Sequence, residues 1–385
     1  MTSGLPFDVE SCEADGRRVR LCHTDGTQSL WEWGSWGLKH VDQATIVVTG
    51  DIICHDSICA NSYDAATDTF DFTPVFERIR PYVSSFDVAV ALQETPLVSS
   101  RALFGTYPRF GTPTELGDAL VDAGYDVVCA ATNHVADKGE QGVRETLDYW
   151  GTRHPQVTLL GIHGNALDPR VKVIEAGGIS IGLVNATEHL NGLSLERGAT
   201  ETIDTLDDIE VLLRDVGAAK AYTDAILCVL HIGDEYSKAP NATTREVVSS
   251  LIDAGADVVA CSHPHVLQGV ERIETDAGRT GVCYWSLGNL VSNQHGPETV
   301  LGGAAEILVR RDKAGAALVS DFDLTATISH FDERSTCIRL LDDYDEELAQ
   351  KHMVNRWEPG SFTCDALRRR FEALRLQSQG ETDGT

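Results

Sequence analysis

Basic residues are scarce in this chain. Lysine and arginine number 31 against 59 acidic residues, a formal net charge of −28. Such a surface repels nucleic acid and anionic lipid, which excludes a protein built to grip a phosphate backbone. No apolar run approaches the ~18–20 residues needed to cross a bilayer, so no integral membrane segment is expected. The opening residues, MTSGLPFDVESCEADGRRVR, lack a basic segment followed by an apolar one. No signal peptide is visible, and a cytoplasmic location is expected, or an extracellular one if a leader was trimmed. Also absent are G-x-x-x-x-G-K-[ST], a G-x-G-x-x-G after a strand, and a G-x-S-x-G elbow. Their absence removes the usual nucleotide-binding and serine-hydrolase readings. None of the ten cysteines forms a C-x-x-C pair, which argues against a zinc ribbon or a thioredoxin-type site. Cys129, Cys228, Cys261 and Cys283 lie inside apolar runs, where a thiol behaves as a small hydrophobe. That usage fits a reducing compartment and leaves disulfides among the peripheral cysteines open.

What is present is enough apolar residue, 42% of 385, to bury a large core. Residues 1–43 read as an N-terminal extension with a hairpin signal at Asp25-Gly26. Trp31, Trp33 and Trp36 there form either an apolar face packed on the main domain or a ligand-stacking platform. The main domain is expected over 44–330 and a charged helical tail over 331–385, helical from about 343 to 376. Apolar strands at 45–49, 88–92, 127–131, 157–160, 225–230 and 258–261 alternate with helices at 74–83, 114–123, 142–150, 206–219 and 244–254. This alternation predicts a largely parallel sheet covered by helices. A hairpin across Gly177-Gly178 and the later strands predict a second sheet layered on the first.

The stretch DVVCAATNHVADKGEQG, residues 126–142, organises the rest. A strand-like run stops at Thr132-Asn133-His134 and reaches Asp137 before a helix resumes. Alone, it could equally be a helix capped by Asn133 or Asp137 beside a bystander histidine. Other strands end in the same way, at Asp51, Glu94, His231 and His263-Pro264-His265. Carboxylate, amide and imidazole together suit Zn, Mn, Fe or Ni. The strands of one sheet would carry these ends to a single rim, and Pro264 would force an extended backbone that aims both flanking histidines.

The segments GDIICHD, QETPL, ATNHVADKGEQG, HIGDEY, GADVVACSHPHVLQGVE and YWSLGNLV run in order from about 45 to 294. They resemble the successive signatures of the capsule-synthesis CapA (poly-γ-glutamate capsule) family, a branch of the calcineurin-like metallophosphatases. The resemblance implies an α/β, metallophosphatase-like two-sheet sandwich with helices on the outer faces. It implies one or two divalent transition-metal ions (Mn, Zn or Fe) held by Asp51, Glu94, Asn133, His231, His263 and His265. His134 would act as general acid or transition-state stabiliser, oriented by Asp137, and Glu235 would face substrate. Lys138, Lys238 and Arg245 flank the motifs and would offset the acidic field for a polyanionic substrate. The implied activity is that of a metal-dependent hydrolase or acyl-transferase acting on a γ-glutamyl amide or a capsule-related polymer. The alternatives are a phosphoesterase on a small phosphate ester and a non-catalytic protein that binds or assembles the polymer. Two departures stand out. Ile53 occupies the position two residues after Asp51 where the metallophosphatase pattern has histidine, and His55 could substitute only if the loop turns back. Gln93 precedes Glu94 where asparagine is expected, which gives it a supporting role.

Overall fold

The computed structural model describes residues 9–15, 18–23, 28–34, 37–312 and 314–380. Two sheets lie face to face. The first has eight strands, in the order Thr158–Leu160, Val127–Cys129, Val88–Gln93, Gln43–Ile52, Leu301–Arg311, Ala317–Phe331 and Thr336–Leu340, with Asn289–Val291 paired to the end of Gln43–Ile52. Its first four strands are mutually parallel and the last three antiparallel. The second has six strands, in the order Lys172–Ala176, Ile179–Thr187, Ala225–His231, Val258–Ser262, Thr280–Tyr284 and Val270–Glu274. Four of these are parallel, with an antiparallel strand at each edge.

Alternation along each strand explains the layering, because successive side chains point to opposite faces. Ile46, Val48, Val90, Leu92 and Val127 meet Ile181, Leu183, Leu227, Val229 and Val258 between the sheets. The intervening residues Val47, Ala89, Ala91 and Val128 pack outward on Phe72, Phe76, Leu116, Leu120 and Trp150. Across the molecule, Val184, Cys228, Leu230, Val259 and Cys261 pack outward on Leu212, Val216, Val248 and Leu251. Both sheets are therefore buried on both faces, which is why their strands read as continuous apolar runs. Cys129, Cys228, Cys261 and Cys283 are buried free thiols within these layers. No helix among the described residues is long and apolar enough to cross a membrane.

Several elements differ from expectation. The helix expected over 74–83 is two short ones, Thr73–Phe76 and Arg80–Val83. Pro81 accounts for the break, since it has no N–H to give the preceding turn. A helix at Asp56–Ser62 occupies a stretch that reads as irregular in sequence. The tail expected from 331 is partly sheet, because Thr336–Leu340 pairs with Ala317–Phe331. Three helices follow, Glu346–Lys351, Met353–Trp357 and Cys364–Gly380, rather than one. Near the N-terminus, Val9–Asp15, Arg18–His23, Gln28–Gly34 and Gly37–Val41 form a four-stranded antiparallel sheet. The Asp25-Gly26 turn and Trp36 lie outside the described residues, as does the side chain of Trp33.

One buried side chain ties the two sheets together. Asn185 accepts the Ala131 N–H at 2.6 Å and donates to the carbonyls of Ala131 (3.3 Å) and Val229 (3.1 Å). Gly161, at φ +85°, leaves room for it, as a Cβ there would lie 2.3 Å from Asn185 Oδ1. Asn185→Ala should cost about 2–4 kcal/mol, because it orphans a buried N–H and weakens two carbonyls. Urea denaturation measures this, and a loss below about 0.5 kcal/mol would show that the link bears little load.

Candidate metal centre

The strand ends do meet, but from two sheets rather than one. Asp51 lies at the end of a strand of the eight-stranded sheet, with Glu94 and Asn133 just beyond two others; His231 ends a strand of the six-stranded sheet, and His263 and His265 lie just beyond another. The single-sheet expectation is thereby corrected. Parallel strands of two layered sheets bring their carboxyl ends to one edge. The His263 N–H donates to Asp51 Oδ2 at 3.1 Å and joins the two sets directly.

The approach of Asp51 depends on Gly50. A Cβ at that position would lie 2.3 Å from the Gly288 carbonyl oxygen, which also accepts the Asp51 N–H at 2.8 Å. The His-Pro-His segment is not extended. His263 has φ +97° and His265 φ +58°, both in the region that favours glycine. Proline disfavours a helical residue before it but does not force an extended one. The hydrogen bond to Asp51 holds His263 in this strained form, of a kind that clusters at functional sites.

Asp51 and Glu94 are wholly buried, and Asn133, His231, His263 and His265 nearly so. The ligating atoms of Asp51, Glu94 and His231 lie within 4.8 Å of one another, and so do those of Glu235, His263 and His265. His231 Nε2 is 3.0 Å from Asn133 Oδ1 and 3.2 Å from His263 Nδ1. His265 Nδ1 is 3.2 Å from Asp51 Oδ2, and its Nε2 is 3.7 Å from Glu94 Oε1. Among the described residues, Asp51 Oδ1 and both Glu94 oxygens are buried without a hydrogen-bond partner. Buried protein carboxylates are not normally left so, and a bound ion is a standard partner for them. Burial pushes the Glu94 carboxyl well above its usual range, with His265 opposing and Asp51 adding to the rise. Burial, then His263 and His265, pushes the His231 imidazole well below its own. Burial and His265 bring His263 down to about 3. Burial would lower His265 too, yet Glu94 and Asp51 raise it to about 9. The neutral imidazoles of His231 and His263, beside carboxylate oxygens that lack donors, fit a divalent cation.

Beside this cluster, His134 Nδ1 lies 2.8 Å from Asp137 Oδ2. That oxygen also accepts the Phe110 N–H at 2.7 Å, and the Phe110 ring meets His134 edge-on at 4.7 Å. The following helix begins after Lys138 with no side-chain cap, so neither Asn133 nor Asp137 serves as an N-cap. Glu235, expected to face substrate, is exposed and within ligand reach of His263 and His265. Arg245 is held elsewhere, 3.5 Å from Glu271 and over the Trp285 ring. Lys238 pairs with Glu298 at 3.1 Å, and Lys138 donates to the Arg109 carbonyl at 2.9 Å. Ile53 is buried. His55 is in neither group of converging ligand atoms: its Nδ1 accepts the Asn293 N–H at 3.3 Å, and burial lowers it to about 4. Gln93 accepts the Trp150 indole N–H at 3.0 Å and so braces the helix behind Glu94.

Sequence reasoning missed several supports. Ser262 Oγ lies 3.0 Å from His231 Nδ1, and Asn289 Oδ1 lies 3.1 Å from His265 Nδ1. Glu188 accepts the Gly233 N–H at 3.0 Å, and the His189 ring stands 5.0 Å from that of His263. Glu188 and His189 follow the strand Ile179–Thr187, so the strand-end pattern could have found them.

The description "bacterial capsule synthesis protein PGA_cap" belongs to a family model that matches residues 45–294. The chain belongs to this bacterial capsule synthesis protein family. The PGA biosynthesis protein CapA of Bacillus subtilis (strain 168) is 24% identical over 253 residues, 65% of this chain and 65% of that protein. The capsule biosynthesis protein CapA of Bacillus anthracis is 25% identical over 268 residues, covering 66% and 61%. The chain thus spans somewhat less than two thirds of the length of these curated relatives. Among solved structures, the NAD nucleotidase of Haemophilus influenzae is similar at a TM-score of 0.47 and 11% identity, over 86% of this chain and 60% of that one. The family match encloses every residue of the cluster from Asp51 to His265, and leaves the N-terminal sheet and the strands after Val300 outside it.

Proposed function

We propose that this member of the capsule synthesis family is a metal-dependent hydrolase or acyl-transferase acting on a γ-glutamyl amide of a capsule-type polymer. Asp51, Glu94, Asn133, His231, His263 and His265 would hold one or two divalent transition-metal ions. The chemistry such a cation supplies when bound is charge neutralisation at the attacked group and acidification of water. The observation that carries an enzymatic reading is the His134–Asp137 pair. Asp137 Oδ2 accepts the Phe110 N–H and so presents an acceptor to the imidazole, which fixes Nδ1 as the protonated nitrogen. His134 Nε2 then remains to take a proton from the attacking group while the ring is neutral and, once the ring is an imidazolium, to hand a proton to a leaving amine or donate to a developing oxyanion. A cluster that served only structure would not need an oriented, unligated imidazole beside it.

The acidic surface bears on the substrate. With Lys238 and Arg245 already engaged by Glu298 and Glu271, little positive charge at these positions is left to draw in a long polyanion. Short γ-glutamyl chains or chain ends fit this balance better than a polymer mid-section. The test is turnover by protein loaded with Mn, Zn or Fe(II), on γ-glutamyl peptides of increasing length and on phosphoesters. We expect amide turnover that is greatest on short peptides. Turnover of phosphoesters alone would move the reading to a phosphoesterase, and none on either would move it to a polymer-binding assembly protein.

A further inference from the structure

Two thiols meet on the segment that follows Asp51. Cys54 is buried, Cys59 is half-buried on the Asp56–Ser62 helix, and their sulfurs lie 3.1 Å apart. The contact is built by the backbone. The Cys59 N–H donates to the His55 carbonyl at 3.1 Å, and this first turn brings the second thiol back over the first. The Cys54 thiol also meets the Thr112 hydroxyl, which lies 2.7 Å from that of Thr95, the neighbour of Glu94. Cys261 and Cys283 touch as well, but both are fully buried under the helices of the other sheet. The Cys54–Cys59 contact differs in that one of its residues, Cys59, is only half-buried.

We propose that Cys54 and Cys59 are a reversible disulfide site, which ties the segment after Asp51 to the first helix when the protein meets an oxidant. With a low-molecular-weight disulfide RSSR, the Cys59 thiolate attacks one sulfur and expels RS⁻. Cys54 then loses its proton and attacks the Cys59 sulfur of the mixed disulfide, and the second RS⁻ leaves. The protein gives up two hydrogens and RSSR becomes two RSH, so the exchange balances. Burial sets the order. Cys59, the less buried of the two, is the thiol that an oxidant meets first, while burial and the neighbouring Cys59 hold the Cys54 thiol well above its ordinary range and keep it protonated until the mixed disulfide forms.

The test uses the full chain treated with oxidised glutathione, then alkylated under denaturing conditions and mapped by peptide mass spectrometry. The expected product is a peptide holding both cysteines, two hydrogens lighter than the dithiol form and restored by reductant. Cys54→Ser should instead stop at one glutathione adduct on Cys59, and Cys59→Ser should take up no glutathione at Cys54. Amide hydrogen exchange over residues 53–62 should slow in the oxidised form. Alkylation of both cysteines after oxidation, pairing of Cys59 with any other cysteine, or unchanged exchange in the oxidised form would overturn the proposal.

Discussion

Glu94→Gln should abolish metal retention while leaving the metal-free fold as stable as the parent, or more so. Both Glu94 oxygens are buried without hydrogen-bond partners, and Asp51 Oδ1 beside them is equally bare. Without a cation, each such group costs about 1–3 kcal/mol. Burial already drives the Glu94 carboxyl well above its usual range, so the metal-free protein carries strain that a neutral amide of the same shape relieves. With a cation, the sign reverses. Glutamine brings no charge and a weaker donor, and affinity should fall by more than the ~10–100-fold typical of losing a group that only supports a ligand. Linkage supplies the readout, since a ligand at about 100 times its Kd stabilises the fold by about 2.7 kcal/mol. Chelation should therefore lower the melting temperature of the parent and leave that of Glu94→Gln unchanged. Elemental analysis after dialysis should find metal in the first and almost none in the second. Parent-like occupancy and a parent-like response to chelator in the variant would remove this cluster as the metal site.

The cluster was legible because a buried strand has a simple sequence form. An apolar run that stops at a carboxylate, amide or imidazole marks a side chain delivered to a sheet edge, and Asp51, Glu94, Asn133, His231 and His263 all carry that mark. Glu188 and His189 escaped because Asn185 looks like the polar end of its strand. It is in fact buried two residues before the strand ends, satisfied by Ala131 and Val229 across the sandwich. Sequence periodicity cannot show a polar residue whose partners lie on another sheet. The same limit explains Lys238 and Arg245. Their proximity to the motifs suggested a role toward substrate, but the partners Glu298 and Glu271 are 60 and 26 residues away in sequence. The backbone of His263 was misjudged for a related reason. Proline chemistry gives a local preference, and the hydrogen bond from the His263 N–H to Asp51, 212 residues distant, overrides it.

His134→Ala should separate catalysis from metal binding. His134 adjoins Asn133, yet the two side chains diverge: Asn133 Oδ1 meets His231 and His134 Nδ1 meets Asp137. Removing the imidazole leaves all six proposed ligand residues in place. Asp137 Oδ2 keeps the Phe110 N–H, so the loop retains its anchor. General acid–base assistance is worth typically ~10²–10⁴-fold, or about 3–5 kcal/mol in the barrier. Turnover of a γ-glutamyl substrate should fall by that range, chiefly in kcat, with metal content unchanged and only a modest loss of melting temperature. Asp137→Asn should give a smaller loss in kcat and a shifted pH profile, because an amide can still accept the Nδ1 proton but no longer stabilises the imidazolium. The competing account makes His134 a brace that fixes the loop to Asp137 and acts only through the metal. It predicts that metal content, melting temperature and activity decline together in His134→Ala, and that adding excess metal restores turnover. The expected outcome is the opposite: saturating metal leaves the kcat deficit intact, because the missing function is a proton held at the imidazole and not a bond to the cation.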